Sequence, residues 1–468
     1  MRSFSLLSLP FVLSPLAYVS AIPDKIHGVN LGSWLVLEPW MLPAEWLSMG
    51  GEDCANCQDC IRDEFSLAKA NPNTVDSKFD KHWTTWFNQA DVDQMISLGI
   101  NTVRIPLGYW IVEQLVDRRT EHFPRGGLAQ LRRGAAQLKE AGIEIILDHH
   151  ALPGVQDPNQ MFTGRCTTDV QFYTDGNYQR ALTWTAVMTA LAHTDPVFST
   201  VFAIQAVNEP IMDASMTPGY GEFQKNFVKT IRLVESTLGI HTFEPAIAGL
   251  SFSNLDLPTA FTQVASNNSL RSEFPKQVLQ AVAEAAPIIM EITRDIIKDN
   301  SILQLVSNNA NGRQPFITNF MDVNWQNNNP ANPADAAIGP IGFDNHLYYS
   351  FGGVADPNPD AYLASICNLK RVEADAALRN TPLWFGEWGL PTEFNATDDF
   401  LHKWADAQKI AYSKGKGWIF WNFKIEISRE AGDLARQWSY FEGVRRGYLT
   451  RDPAQIKDPH VCDPFIQK

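Results

Sequence analysis

The chain has 468 residues and a net charge of −14, with no run of Lys or Arg. That balance excludes a polyanion such as nucleic acid as partner, because such binding needs clustered positive charge, and leaves neutral polymers open. The length allows one large domain or two to three smaller ones, and 14 Trp with 27 Phe suit either a large core or aromatic stacking surfaces.

Residues 1–21 begin with Met1 and Arg2, run through an apolar stretch from Phe4 to Leu16 and reach Val19-Ser20-Ala21, a pattern that signal peptidase accepts. A membrane anchor needs about 20 apolar residues, and this run is shorter and broken by Ser and Pro. The expectation is a secretory signal, an extracellular or cell-wall location, and a soluble monomer from Ile22 with no membrane partner.

Six cysteines follow: Cys54, Cys57, Cys60, Cys166, Cys367 and Cys462. In a secreted chain they favour disulfides. The tight cluster Cys54-x2-Cys57-x2-Cys60 is expected to pair mostly with distant cysteines and to pin the 45–66 loop to the body, although thiolates so spaced also suit zinc. The sequons at Asn267 and Asn395 are consistent with glycosylated surface loops.

Eight short runs, 26–31, 102–106, 143–148, 202–207, 315–319, 342–347, 383–385 and 417–421, punctuate helical patterns at 91–98, 127–140, 177–193, 222–238 and 399–413. Such alternation builds βα units around a parallel sheet, and eight strands close it into an α/β fold, the (β/α)8 TIM barrel. The segment 244–250 competes with 315–319 for the fifth strand. If the later run is the strand, 241–305 is an insertion after the fourth helix, with an apolar helical pattern over 278–297. It is expected to cover the cleft, with an extra helix against the barrel side as the equal alternative. The stretch 324–334 reads as a loop. With no linker or repeat, residues 22–468 form a single catalytic domain with disulfide-tied loops.

A TIM barrel builds its site at the carboxyl ends of the strands, and six runs end in polar or aromatic residues. These endings carry Arg104, His149 and His150, Asn208 and Glu209, His346 and Tyr348, Glu387, and Trp421. Glu209 and Glu387 supply the two carboxyl groups that glycoside hydrolysis needs on either side of one bond. Arg104 is expected to keep Glu387 ionised, and a less solvated Glu209 to keep its proton. Asn208 is placed to donate to a sugar hydroxyl and Tyr348 to bond the nucleophile. His149, His150 and His346 lack the helical spacing of His-Glu-x-x-His, so neither metal nor organic cofactor is expected.

At these residues the sequence resembles glycoside hydrolase family 5, the retaining enzymes related to cellulases. Arg104, His150, Asn208, Glu209, His346, Tyr348, Glu387 and Trp421 stand in the family's order. The resemblance implies Glu209 as acid/base and Glu387 as nucleophile. Gly28-Val29-Asn30-Leu31-Gly32-Ser33-Trp34-Leu35-Val36-Leu37-Glu38-Pro39-Trp40 and Gly417-Trp418-Ile419-Phe420-Trp421 are most similar to fungal exo-β-1,3-glucanases. In that group the Glu of Leu-Glu-Pro-Trp is similar to a ligand of the terminal glucose, which implies Glu38. The loop His150-Ala151-Leu152-Pro153-Gly154-Val155-Gln156 departs from the group at Ala151 and Val155, usually Gly and Ser, and Asp157 follows where a polar sugar contact would be useful.

The implied activity is a retaining β-glycosidase on β-glucan, with exo-β-1,3 cleavage placed ahead of endo-β-1,6 cleavage. A diglycosidase or β-glucosidase acting on plant glycosides is the enzymatic alternative. A non-catalytic wall-binding protein is the remaining one.

Overall fold

The computed structural model describes residues 22–57, 60–240, 255–299, 303, 313–323, 325 and 332–466. The expected signal 1–21 and the rival strand at 244–250 lie outside the described residues, as does most of the expected loop 324–334.

Eight parallel strands close in sequence order into one barrel: β1 (Ile26–Asn30), β2 (Thr102–Gly108), β3 (Glu144–Ala151), β4 (Val201–Gln205), β5 (Ile317–Met321), β6 (Ile341–His346), β7 (Leu383–Glu387) and β8 (Gly417–Phe420). Every expected run is a strand, including the fifth. Outside them lie α1 (Gln89–Ser97), α2 (Gly127–Glu140), α3 (Asp175–Thr194), α4 (Tyr220–Thr237), α7 (Pro359–Cys367) and α8 (Asp398–Tyr412), with α5 (Leu257–Ser266) and α6 (Lys276–Ile292) inserted between α4 and β5.

Alternation along the strands sorts structure from site. On β3, Ile145 and Leu147 join the core under the helices, whereas Ile146 belongs to an inner cluster with Ile26, Ala203, Ile317, Trp384 and Ile419. Side chains two apart share a face, so Asp148 and His150 point inward and His149 outward. His149 accordingly stacks on Trp184 of α3 at 3.9 Å between ring centroids. Burial drives its imidazole down to about 3, which makes it a neutral packing residue rather than a member of any histidine cluster.

Among the described residues of the insertion, 255–299 and 303, none lines the cleft. α6 packs against α3 and α4 and carries α5 on its flank, forming a second layer on the barrel side. The connectivity is the reason: a segment between a helix and the next strand starts at the strands' amino-terminal rim, opposite the site. Thr183 Oγ donates to Glu284 across the α3–α6 seam at 2.6 Å. The adjoining segments are pinned from α4, where Glu235 accepts the Phe316 amide at 2.6 Å and Arg232 donates to the Phe316, Ile338 and Pro340 carbonyls.

The disulfides join Cys54 to Cys60, Cys57 to Cys166 and Cys367 to Cys462. Two of the three cluster members thus pair with each other, against the expectation of mostly distant partners, and only Cys57 reaches a distant cysteine. The Cys57–Cys166 bridge does pin the 45–66 loop, helped by the Phe65 amide on the Gly164 carbonyl at 3.0 Å and the Cys166 amide on Asp63 at 2.6 Å.

Candidate active site

The expected site residues meet in one cleft of about 540 Å³ at the carboxyl ends of the strands, lined by Glu38, His150, Asn208, Glu209, Tyr348, Glu387 and Trp421 among others. Arg104 and His346 sit beneath this surface, bonded to the glutamates.

Arg104 is fully buried on β2 and organises the floor. Its guanidinium donates to Glu387 Oε1 at 2.9 Å, Asn208 Oδ1 at 2.7 Å, Gln205 Oε1 at 2.9 Å and Asn30 Oδ1 at 3.1 Å, with Asp148 at 3.0 Å. Burial alone would lower its affinity for the proton, but Asp148, Glu387 and Asp344 outweigh that and raise it. A planar fork with five donors suits such a hub. Because Asn208 accepts from Arg104, its amide nitrogen is left as a buried donor without a protein partner.

Glu387, at the end of β7, takes the Tyr348 hydroxyl on Oε2 at 2.9 Å. Glu209 lies just beyond β4 with a left-handed φ of 38°, a conformation costly for a residue with a side chain. His346 Nδ1 donates to Glu209 Oε1 at 2.6 Å and lies 3.6 Å from Glu387 Oε2. One oxygen of each glutamate and the His346 nitrogen all fall within 4.8 Å of one another. That spacing would also suit a cation, but both His346 nitrogens already meet carboxyl oxygens, the second Asp344 Oδ2 at 3.3 Å, an arrangement that favours a ring protonated at both nitrogens over a metal ligand. Burial works against its charge, yet Glu387, Asp344 and Glu209 raise the imidazole to about 10.

The expected solvation of the two glutamates is reversed. The Glu209 side chain is 17% exposed and that of Glu387 7%. Burial pushes the Glu387 carboxyl up and Glu209 adds to this, while His346 and Arg104 pull it down. Arg104 therefore acts on Glu387 in the expected sense, but desolvation is the larger influence.

His150 donates or accepts through Nδ1 with Asp148 at 2.5 Å, and its Nε2 has no protein partner. Its ring lies parallel to Trp421 at 5.7 Å. The Trp421 indole in turn lies against Gly32, where a Cβ would come within 2.9 Å of the ring, so glycine is required there. Glu38 accepts the Trp40 indole N–H at 2.9 Å, and burial raises its carboxyl to about 7. Asp157 also lines the cleft, raised to about 7 by burial and by Glu209.

Sequence reasoning missed Trp40, Trp438, Phe351, Trp325 and Met212, which complete the walls. They come from the loops and short helical turns beyond the strands rather than from strand ends, and only the Trp40 indole's place beside Glu38 in the Glu-Pro-Trp motif offered a signal.

Residues 68–426 match the family described as Cellulase (glycosyl hydrolase family 5). The chain belongs to glycosyl hydrolase family 5. This family 5 glycoside hydrolase is 30% identical over 448 residues to glucan endo-1,6-beta-glucosidase B of Emericella nidulans, covering 94% of this chain and 88% of the relative. It is 32% identical over 188 residues to a probable glucan 1,3-beta-glucosidase A of Aspergillus niger, covering 40% of this chain and 41% of that one. Its fold is similar to that of a rutinosidase from Aspergillus niger, with a TM-score of 0.57 at 17% identity over 92% of this chain and 99% of that one.

Proposed function

We propose that this hydrolase is a secreted, retaining β-glucanase in which Glu387 is the nucleophile and Glu209 the acid/base. The observation that carries the reading is the approach of the two carboxylates to within 4.8 Å. Retaining glycosidases hold the pair at about 5–5.5 Å, whereas inverting ones need more than about 6.5 Å for a water. A Glu387 oxygen attacks the anomeric carbon as that carbon's bond to the leaving oxygen breaks, and Glu209 gives its proton to that oxygen. Glu209 then takes a proton from water, whose oxygen displaces Glu387 and restores the starting configuration.

The surroundings support the proton inventory. Arg104 and the His346 cation face four carboxyls, those of Glu209, Glu387, Asp148 and Asp344. The excess of negative charge favours one proton retained on the glutamate pair. Its site in the reacting enzyme is Glu209, because Glu387 already accepts from both Arg104 and Tyr348. The Asn208 amide and His150 Nε2 are the unpaired donors or acceptors for sugar hydroxyls, Trp421 is the stacking platform, and Glu38 binds the sugar unit away from the leaving group.

For the bond cut, β-1,6-linked glucan now ranks ahead of β-1,3-linked glucan, since the 1,6-glucosidase likeness runs along nearly the whole chain and the 1,3-glucosidase likeness along 40% of it. Among the described residues no part of the insertion lines the cleft, which fits internal attack on a polymer. Purified protein incubated separately with pustulan, laminarin and rutin tests this. Oligosaccharides from pustulan with the β-anomer formed first are expected. Glucose alone from laminarin would move the assignment to exo-β-1,3 cleavage, and activity confined to rutin would overturn the glucanase reading.

A further inference from the structure

Asp344 lies on β6, fully buried and without contact to the cleft, yet its two oxygens reach toward both glutamates. Oδ1 accepts the Gly386 amide at 2.6 Å, immediately before Glu387. Oδ2 accepts from His346 Nε2 at 3.3 Å, and the far nitrogen of that ring bonds Glu209. A side chain at 386 is impossible, because a Cβ there would collide with the Asp344 carboxylate. Glycine at that point leaves the backbone of β7 free to close on the carboxylate.

We infer that Asp344 is a positioning residue for both glutamates of the proposed pair, fixing the Glu387 backbone through Gly386 and holding His346 as a cation between Glu387 and Glu209. The inference rests on the proposed roles of Glu209 and Glu387. A neutral His346 would need an acceptor for only one nitrogen; an Asp344 carboxylate oxygen at one nitrogen and the Glu209 Oε1 oxygen at the other accept from a doubly protonated ring, the proton of Glu209 being carried on its other oxygen. The groups facing it are Asp344 on its own strand, Glu209 beyond β4, Glu387 on β7, and Arg104 and Asp148 on β2 and β3. The cation stands 3.6 Å from Glu387 and favours its ionised form. Losing the charge therefore raises the pH at which Glu387 becomes a competent nucleophile.

Asp344→Asn tests this, since it keeps the volume and the acceptor for Gly386 but turns a donor toward His346. The acidic limb of the kcat/KM profile is expected to move up by about one pH unit or more, with kcat down about tenfold or more and the melting temperature little changed. NMR titration supplies a second readout: the His346 ring should stay protonated past pH 8 in the wild type and titrate lower in the variant. A neutral His346 in wild-type protein at pH 7 overturns the proposal, whether or not the variant folds. An unmoved acidic limb in a folded variant overturns it too. Glu387→Gln and Glu209→Gln, assayed in parallel, separate the two readings: if they are inactive while Asp344→Asn behaves as wild type, the pair stands and the positioning role falls.

Discussion

At the scale of single residues, the cleft floor is a set of carboxylates whose environments differ. Glu387→Gln preserves volume and can still meet Arg104 and Tyr348, but its amide is no nucleophile. Turnover is expected to fall about a thousandfold or more with an unchanged melting temperature, and near-normal activity would remove Glu387 from its assigned role. Glu38 gives a stability prediction whose sign follows from its raised carboxyl, at about 7 against an ordinary 4.5. The folded state binds this proton more tightly than the unfolded chain, so the stability it contributes is complete below pH 4.5 and lost as pH rises through 7. Glu38→Gln removes that loss. Compared by urea unfolding, the variant should gain on the wild type by on the order of 2–3 kcal/mol between pH 4.5 and 7.5, and equal curves at both pH values would contradict the burial cost.

At the scale of elements, α3 explains what the insertion is for. From Ala181 to His193 every residue of α3 is buried, whereas an ordinary barrel helix shows water one polar face. α6 supplies the missing cover. Ile289→Ala on α6, at a fully buried position, should cost about 2–4 kcal/mol and lower the melting temperature, while kcat at 25 °C stays unchanged. A change in substrate preference would instead place the insertion in the cleft. The sequence already held this answer in Ala181–Ala192, an apolar stretch with no polar stripe, which calls for a layer outside it. The strands were legible because short β-branched runs between helices have few other fates, and the strand-end residues because alternation sends them inward. The cleft walls were not, since Trp438 reaches it from a four-residue helical turn and Phe351 and Met212 from loops, segments whose paths no periodicity encodes. The relative solvation of Glu209 and Glu387 depends on those same loops, and so it was read the wrong way round.

At the scale of the whole molecule, the bridges act on different things. Cys367–Cys462 closes 95 residues and Cys57–Cys166 closes 109, spans for which a crosslink removes about 5 kcal/mol of unfolded-chain freedom. Cys462→Ser should lower thermal stability and leave KM alone. The Cys57–Cys166 bridge does more, because the loop it holds carries Asp157, Gln160, Met161 and Phe162 into the cleft. Cys57→Ser combined with Cys166→Ser should therefore raise KM several-fold as well as lower stability, and an unchanged KM would show that this wall stands unaided. No bridged cysteine lies on a barrel strand, so the barrel's own closure uses none of these bonds and the width of the cleft is expected to be set by oxidation as a separate maturation step. Protein made in a reducing host would be a folded but unfinished product, recognisable by its slack grip on substrate and finished in the test tube by an oxidant alone.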